Sequence, residues 1–433
     1  MLSILPNFVV IPLLALLGAV IGAAINWAIY SWCYFSRRPV SPWMSCEDPP
    51  LVRTTFDKIP ILGWFSLRRH VKELGAAFWI RPLLIEIVWA MGLPWFWFWQ
   101  SGPGLTGGVG VPALWIETWF WGHMVLIALM FVATFIDFDE KIIPDEITLP
   151  GTLFALVMAA AAPWFRLPEL VNQMKGVGVR PIHYGSTNGL PTWHLGEIGI
   201  VAALLIVLVW FFSLLPGRYT LRYGLIRGIR IMLGSMLRPK RKTKCSIRST
   251  HRQPLGITRL LALTWLTVSA LVVIGWCLLS PVHWTSLFGA IVGLGFGGGM
   301  VWSIRIVASY AMQQEAMGFG DVTLMAMIGA FFGWQSSLLV FAIAPFAALV
   351  IVFAMVLLQR VNEIAFGPYL CIGALVLLFG WRTIWNEHAA RLFFMGPGLL
   401  IVLLAGLVVM AMMLIAIQFV KSIFVGDSSD SEA

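Results

Sequence analysis

The chain has 433 residues, of which 59% are hydrophobic and only 11% are charged. Soluble domains carry about 25% charged residues, so this composition excludes a water-soluble globular protein and predicts a polytopic membrane protein. The formal net charge of +9 then indicates orientation in the membrane rather than nucleic-acid binding. The 5 cysteines include no C-x-x-C pair, so the sequence shows neither a disulfide framework nor a zinc signature.

Apolar runs recur along the whole chain and predict an all-α fold with about 11 transmembrane helices. No basic residue precedes Arg37, so the first run is expected to be a retained span rather than a cleaved signal peptide. The predicted spans are 8–32, 83–100, 117–138, 147–164, 197–215, 258–279, 284–303, 321–335, 337–358, 367–381 and 395–420.

The basic residues predict that the N-terminus lies outside and the C-terminus in the cytoplasm. In this orientation, 24 of the 29 Lys and Arg residues fall in cytoplasmic segments, which is the positive-inside pattern. The basic segment 216–256 is expected to contact anionic lipid headgroups. The outside loops hold the remaining 5 basic residues, namely Arg166, Lys175, Arg180, Arg382 and Arg391.

Two aspartates lie where an apolar run meets the predicted cytoplasmic face. Asp137 directly follows the apolar run 131–136, and Asp321 closes the Gly-Phe-Gly-Asp sequence that begins at Gly318. Carboxylates are costly inside a bilayer, so an acid at this depth is a functional hypothesis. Gly318 and Gly320 remove side chains just before Asp321 and would let a peptide substrate approach closely.

Two carboxyl groups that share a site do not ionise together readily, which predicts an aspartyl pair. The ionised member removes a proton from the attacking water. The protonated member donates a hydrogen bond to the scissile carbonyl and then a proton to the leaving amine. A proton- or ion-coupled transporter is the alternative, although both acids are expected at one face rather than at the midplane.

Other polar and small residues have structural interpretations. Asp145 and Glu146 follow Pro144 and complement the positive N-terminus of the next helix. The glycine run 293–299 is typical of close helix packing. Four scattered histidines form no ligand cluster and are interpreted as interfacial residues, namely His70, His123, His194 and His283.

Four sequence blocks carry a resemblance to a known family. The blocks are 22–30 (GAAINWAIY), 56–64 with 81–86 (FDKIPILGW, RPLLIE), 136–150 (IDFDEKIIPDEITLP), and 315–334 with 365–369 (EAMGFGDVTLMAMIGAFFGW, AFGPY). Together they resemble the type IV prepilin peptidase family, the GxGD membrane aspartyl proteases. The resemblance implies that Asp137 and Asp321 are the catalytic pair of an aspartic endopeptidase in the cell inner membrane. It implies cleavage of basic leader peptides from prepilins or pseudopilins at the cytoplasmic face.

Three features depart from the pattern of this family. The loop 33–82 lacks the two C-x-x-C pairs of many members, so no metal is predicted. S-adenosylmethionine would be a cofactor only if N-methylation of the product is retained without those pairs. Thr323 replaces the usual lysine, and Asp321 lies 184 positions after Asp137. An inactive relative that serves as an assembly scaffold in a secretion or pilus system is therefore a third interpretation.

The long spacing between the aspartates predicts an insertion that carries an even number of spans, which keeps both acids on one side. The predicted segments are a first span (1–32), a cytoplasmic loop (33–82), helices with the first aspartate (83–165), an insertion with two spans and a basic loop (166–283), helices with the GxGD motif (284–381), and a last span with an acidic tail (382–433).

Overall fold

The computed structural model describes residues 2–33, 43, 54–173, 176–186, 189, 191–214, 254–312, 317–357 and 365–426. The α-helices are α1 (Asn7–Ser31), α2 (Leu62–Leu67), α3 (Val71–Leu74), α4 (Ile80–Ser101), α5 (Ala113–Glu140), α6 (Asp145–Ala161), α7 (Glu197–Ser213), α8 (Pro254–Leu278), α9 (Pro281–Met312), α10 (Phe319–Phe332), α11 (Trp334–Leu357), α12 (Gly367–Phe379), α13 (Ala390–Phe393) and α14 (Pro397–Gly426). A π-helix covers Arg382–Ala389, and 3₁₀ turns cover Leu2–Ile4, Phe56–Lys58, Arg68–His70, Pro163–Phe165 and Trp193–Leu195. The strands are β1 (Pro168–Gln173) and β2 (Gly176–Pro181).

Each of the predicted spans coincides with one helix, from α1 through α4–α12 to α14. Within the described residues, 6 helices are long and apolar enough to cross a membrane, or 7 if α12 and the helical segment after it, bent by 81°, form one span. The all-α polytopic membrane protein is therefore confirmed. The number of 11 crossings and the orientation of the termini stay predictions.

Helix α10 lies at the centre of the bundle. Every residue from Asp321 to Phe332 is buried. A helix that is apolar around its whole circumference needs neighbours on all sides, and α6, α9, α11 and α12 provide them. The GxGD aspartate consequently starts a helix that is enclosed by protein.

Helices α9 and α10 pack backbone against backbone. A Cβ atom at Gly293 would collide with the carbonyl oxygen of Gly329, and one at Gly297 would lie 2.6 Å from the carbonyl oxygen of Met325. Small residues allow this close approach between membrane helices. The packing interpretation of the glycine run is confirmed at Gly293 and Gly297, whereas Gly299 faces open space.

Gly293→Ala is expected to lower the free energy of unfolding by about 1–3 kcal/mol, because the added methyl group has to separate α9 from α10. Gly299→Ala on the same helix is the matched control and is expected to be neutral or slightly stabilising, since alanine favours helix. Thermal unfolding of both variants in detergent measures the difference. Equal melting temperatures for the two variants would contradict this account of the packing.

The β1–β2 hairpin was not expected from the sequence and lies inside the predicted insertion. The Nε1 of Trp381 donates to the carbonyl oxygen of Pro168 (2.6 Å), and the Leu170 N–H donates to Oδ1 of Asn386 (3.2 Å). These contacts place the hairpin at the end of the bundle where α12 ends, opposite Asp321. Two six-residue strands offer too little periodicity to be recognised among apolar helices.

Some predicted features lie outside the described residues. They are residues 34–42 and 44–53 of the cytoplasmic loop with Cys46, residues 216–253 of the basic segment with Cys245, and Lys175, Glu315 and the tail after Gly426.

Candidate active site

The turn between α5 and α6 carries the first predicted catalytic residue. Helix α5 continues past Asp137 to Glu140, and Lys141 then adopts a left-handed conformation (φ 57°) that ends the helix. Asp137 is 4% exposed, so its carboxyl group faces the interior of the bundle. After the reversal, Ile143 is also buried. Asp145 lies in the first turn of α6, as predicted.

The second predicted residue, Asp321, lies in the first turn of α10 and is 6% exposed. Gly318 precedes this helix with an extended backbone (φ −66°, ψ 153°) that other residues also adopt. A Cβ atom at Gly318 would lie 3.8 Å from Oδ2 of Asp321, an ordinary contact distance. A Cβ atom at Gly320 would lie only 2.8 Å from Cβ of Ile143. The close approach at Gly320 therefore involves the chain itself, whereas Gly318 leaves room beside Asp321.

Ile143 connects the two helix ends that carry the aspartates. A Cβ atom at Gly367, the first residue of α12, would lie 2.7 Å from Cδ1 of Ile143 and 2.5 Å from Oδ2 of Asp137. Gly320 and Gly367 thus pack on one isoleucine, and the charges of Asp137 and Asp321 interact. The structure brings the two predicted residues together, although they are 184 positions apart in the chain.

Sequence reasoning did not single out Gly367, although it belongs to one of the quoted blocks. Its lack of a side chain is what accommodates the Asp137 carboxyl group. Nothing local distinguishes this residue among the 41 glycines of the chain. Two other residues near the pair were also missed. They are buried Cys371 in α12 and, in α9, Arg305, whose positive charge acts on Asp321.

Arg305 brings positive charge to an otherwise acidic cluster. Its Nε donates to the carbonyl oxygen of Met317 (2.8 Å), and its guanidinium lies 5.8 Å from the centroid of the Phe319 ring. Both contacts fix the arginine to the segment that leads into α10. Part of the negative charge of the buried pair is thereby offset.

The start of α4 lies beside the helix end that carries Asp137. The Nη1 of Arg81 donates to Oδ2 of Asp139 (2.7 Å), and the guanidinium lies 4.6 Å from the centroid of the Phe135 ring. Asp139 follows Asp137 by two residues, so this ion pair connects the start of α4 to the last turn of α5. The family-like blocks that contain Arg81 and Asp137 are therefore neighbours in space.

Glu86, further along α4, connects this helix to α1 and to the turn that precedes α2. The Nδ2 of Asn26 donates to Oε1 of Glu86 (3.1 Å) and to the carbonyl oxygen of Pro82 (2.9 Å). The Ile61 N–H donates to Oε2 of Glu86 (2.5 Å). Ile61 has φ 63°, a strained conformation for a β-branched residue. The buried carboxyl group of Glu86 therefore supports the strained turn at Ile61.

Asp57 holds together the segment 54–70, which precedes α4 in the chain. Its buried carboxylate accepts hydrogen bonds from Nη1 (3.0 Å) and Nη2 (2.5 Å) of Arg69 and from the Thr54 N–H (2.7 Å). Burial alone would raise the pKa of Asp57, but these hydrogen bonds outweigh it and lower the pKa well below its usual range. Charged Asp57 therefore stabilises the folded segment.

Because the pKa of Asp57 is lower in the folded state, the stabilisation is fully present above the unfolded pKa of about 4 and is lost progressively as the pH falls from there towards the folded pKa. Hydrogen exchange of residues 56–70, corrected for intrinsic rates, is expected to be slow at pH 6 and clearly faster at pH 3. Asp57→Asn should exchange fast at both pH values. Glu73→Gln is the matched control, since the Glu73 side chain is 42% exposed, and it should keep the wild-type pattern. Unchanged protection in Asp57→Asn would refute the assignment.

The described part of the chain contains no group of three or more His, Cys, Asp or Glu side chains that could hold a metal ion. The sequence predicts that His123 and His194 are interfacial residues. In the structure both side chains are buried inside the protein. His123 lies 3.3 Å from Nε2 of Gln100, and His194 lies 2.8 Å from Oγ1 of Thr285. The polar partners explain how these rings are tolerated inside the bundle.

Comparison with known proteins supports the resemblance. Residues 258–353 match the type IV leader peptidase family; this range contains Asp321 but not Asp137. Proteins named "Prepilin leader peptidase/N-methyltransferase" match from Escherichia coli (33% identity, 22% of this chain and 40% of the relative), Pseudomonas aeruginosa (31%, 26% and 38%) and Neisseria gonorrhoeae (27%, 36% and 57%). The chain thus spans about two fifths of the length of the first two relatives. No solved structure matches. The family resemblance predicted from the sequence is confirmed.

Proposed function

We propose that this chain, whose residues 258–353 match the type IV leader peptidase family, is a membrane aspartic endopeptidase that cleaves basic leaders from prepilin-like proteins. The observation that carries the proposal is the contact of Gly320 and Gly367 with one isoleucine, Ile143. This contact joins the helix ends that carry Asp137 and Asp321. A peptide bond bound between the two carboxyl groups would meet both a base and an acid.

The buried pair supports the following reaction. One carboxylate removes a proton from a water molecule as its oxygen attacks the scissile carbonyl carbon. The other carboxyl group, protonated because two neighbouring acids do not ionise together readily, donates a hydrogen bond to the carbonyl oxygen. It then gives its proton to the amine as the C–N bond breaks. The two aspartates act as a pair, so the roles of base and acid are not assigned to one or the other.

The proposed substrate class is based on the names of the relatives and on the membrane orientation that the basic residues predict. The relatives are named for prepilin leaders, and the predicted orientation puts the aspartates on the cytoplasmic side of the inner membrane, where a basic leader remains. Gly318, which is exposed beside Asp321, is the proposed entry for the scissile peptide. Gly320 acts by closing the site against Ile143.

The proposed function does not include methyl transfer to the product. The relatives carry "N-methyltransferase" in their names, but the loop 33–82 of this chain has Cys46 as its one cysteine after Cys33, without a C-x-x-C pair. We therefore expect cleavage without methylation and derive no step that involves S-adenosylmethionine.

The function is tested by co-expressing the full chain with a prepilin-like substrate that has a basic leader, followed by intact mass measurement of the substrate. Loss of the leader mass is expected, with a free N-terminus on the product. An added methylene mass on that product would show that methyl transfer is retained. If the leader stays intact while the chain is correctly inserted, the peptidase proposal is wrong. A transporter or an assembly scaffold would then explain the buried acids better.

A further inference from the structure

A buried arginine lies at the end of the bundle opposite the aspartates. Arg166 follows the 3₁₀ turn after α6 and is 2% exposed. Its guanidinium reaches between α9 and the turn that joins α10 to α11. A Cβ atom at Gly289 would lie 3.3 Å from Nη2, and one at Gly333 would lie 2.6 Å from Nη1. These two glycines leave the space that the guanidinium occupies.

This guanidinium has no hydrogen-bond partner within the described part of the chain, because Nε, Nη1 and Nη2 are all buried without one. Burial lowers the pKa of Arg166 to about 10, so the group still carries its charge at neutral pH. An uncompensated buried charge costs several kcal/mol. A planar fork of donors without an acceptor is also the arrangement that binds a bidentate oxyanion.

The surroundings of Arg166 form a pocket of about 310 Å³. Two other buried polar atoms in its wall also lack a partner in the described residues, namely Oγ of Ser286 and Nδ1 of His183. Both can donate a hydrogen bond. The pocket thus collects several unused donors around one fixed positive charge, which is rare in a folded protein without a ligand or water.

Two further features favour a negative ligand. Helix α9 begins at Pro281 in the wall of this pocket, and its first turn presents the positive end of a 32-residue helix. Arg180 also lines the pocket, although its Nε already pairs with Glu169 at 3.0 Å. That carboxylate belongs to the hairpin, and within the described residues Arg166 has no acidic partner. Net positive charge therefore remains for a ligand.

The rest of the wall is apolar and leads to the surface. Val282 and Leu195 line the pocket and are 65% and 39% exposed. An apolar rim around buried donors suits a phosphate group attached to a lipid tail better than a fully hydrated ion, because the tail can cover the exposed apolar side chains.

We propose that the Arg166 pocket, defined by Arg166, His183 and Ser286, binds a phosphate group, as carried by an anionic phospholipid or by free phosphate. The Arg166 guanidinium donates hydrogen bonds to two phosphate oxygens, and the Ser286 hydroxyl and the His183 ring donate to the others. Ligand binding compensates the buried charge and joins α9, the segment after α6 and the hairpin. The site is independent of peptide cleavage and stabilises the end of the bundle that is distant from the aspartates.

Thermal unfolding of the delipidated full chain in neutral detergent tests the proposal. Phosphatidylglycerol and inorganic phosphate are titrated separately, with phosphatidylcholine as the zwitterionic control. A melting temperature that rises with phosphatidylglycerol but not with inorganic phosphate identifies a lipid site. A rise with both identifies a general phosphate site. No rise with either probe would overturn the proposal.

Variants test whether the rise in melting temperature comes from binding in the Arg166 pocket. Arg166→Gln is expected to abolish the rise in melting temperature, and Ser286→Ala to weaken the apparent affinity by about tenfold, as for a hydrogen bond to a charged group. Arg391→Gln, which removes an exposed charge after the π-helix, is the matched control and should respond like the wild type. If Arg166→Gln does not fold, Ser286→Ala and His183→Gln decide the question. A wild-type response in the variants that fold would refute the pocket as the binding site.

Discussion

Asp321→Asn is expected to lower the rate of leader cleavage by roughly 10³-fold while the protein still inserts and folds. Asparagine keeps the shape of the side chain but can neither remove nor supply the proton that the reaction needs. Asp137→Asn should have an effect of the same size, because each residue is one half of the pair. Cleavage of the co-expressed prepilin-like substrate, followed by intact mass, measures both variants.

The double variant sharpens this test. Residues that act as one unit have non-additive effects, so replacing both aspartates should cost little more than replacing one. Asp145→Asn is the matched control, since Asp145 is exposed in the first turn of α6, and it should cleave within a few-fold of the wild type. Near wild-type cleavage by either single variant would refute the aspartyl pair.

Gly367→Ala is expected to reduce cleavage by about 10²-fold without unfolding the protein. The new Cβ atom would lie 2.5 Å from Oδ2 of Asp137, so the carboxyl group has to move by a substantial part of an ångström. Displacements of about 1 Å at a catalytic group can cost 10²-fold in rate. The cleavage assay and a thermal unfolding curve, measured on the same preparation, separate activity from stability.

Gly318→Ala provides the comparison at the other aspartate. Its Cβ atom would lie 3.8 Å from Oδ2 of Asp321, which requires no movement within the chain. The folded structure and the position of Asp321 should therefore be unchanged. If Gly318→Ala raises the KM for the substrate while kcat is kept, the entry of the peptide at this position is supported. If Gly367→Ala cleaves as well as the wild type, the close contact with Asp137 is not important for the reaction.

The sequence predicted the helices well because their signal is local. Runs of about 20 apolar residues are required by the bilayer thickness, and each predicted span coincides with a helix. Both aspartates were found for the same reason, since an acid at the end of an apolar run stands out in the chain. The hairpin at 168–181 was missed because six-residue strands have no comparable signal.

The details of the site depended on contacts between distant segments. The motif treats Gly318 and Gly320 alike, but only Gly320 packs against Ile143. Gly367 lies 230 positions after Asp137 in the sequence, and only packing shows that its missing side chain makes room for that carboxyl group. The sequence likewise counted Arg166 as a loop charge, whereas the fold buries it without a hydrogen-bond partner among the described residues.

The sequence alone therefore determined the class of protein, the positions of the helices, the pair of acids and the family resemblance, because each depends on composition, hydrophobic length or a short motif. The tertiary structure decided which helix ends meet, which glycines are sterically required and where an uncompensated charge lies. Those properties arise from distances between residues far apart in the chain, and local patterns carry no information about such distances.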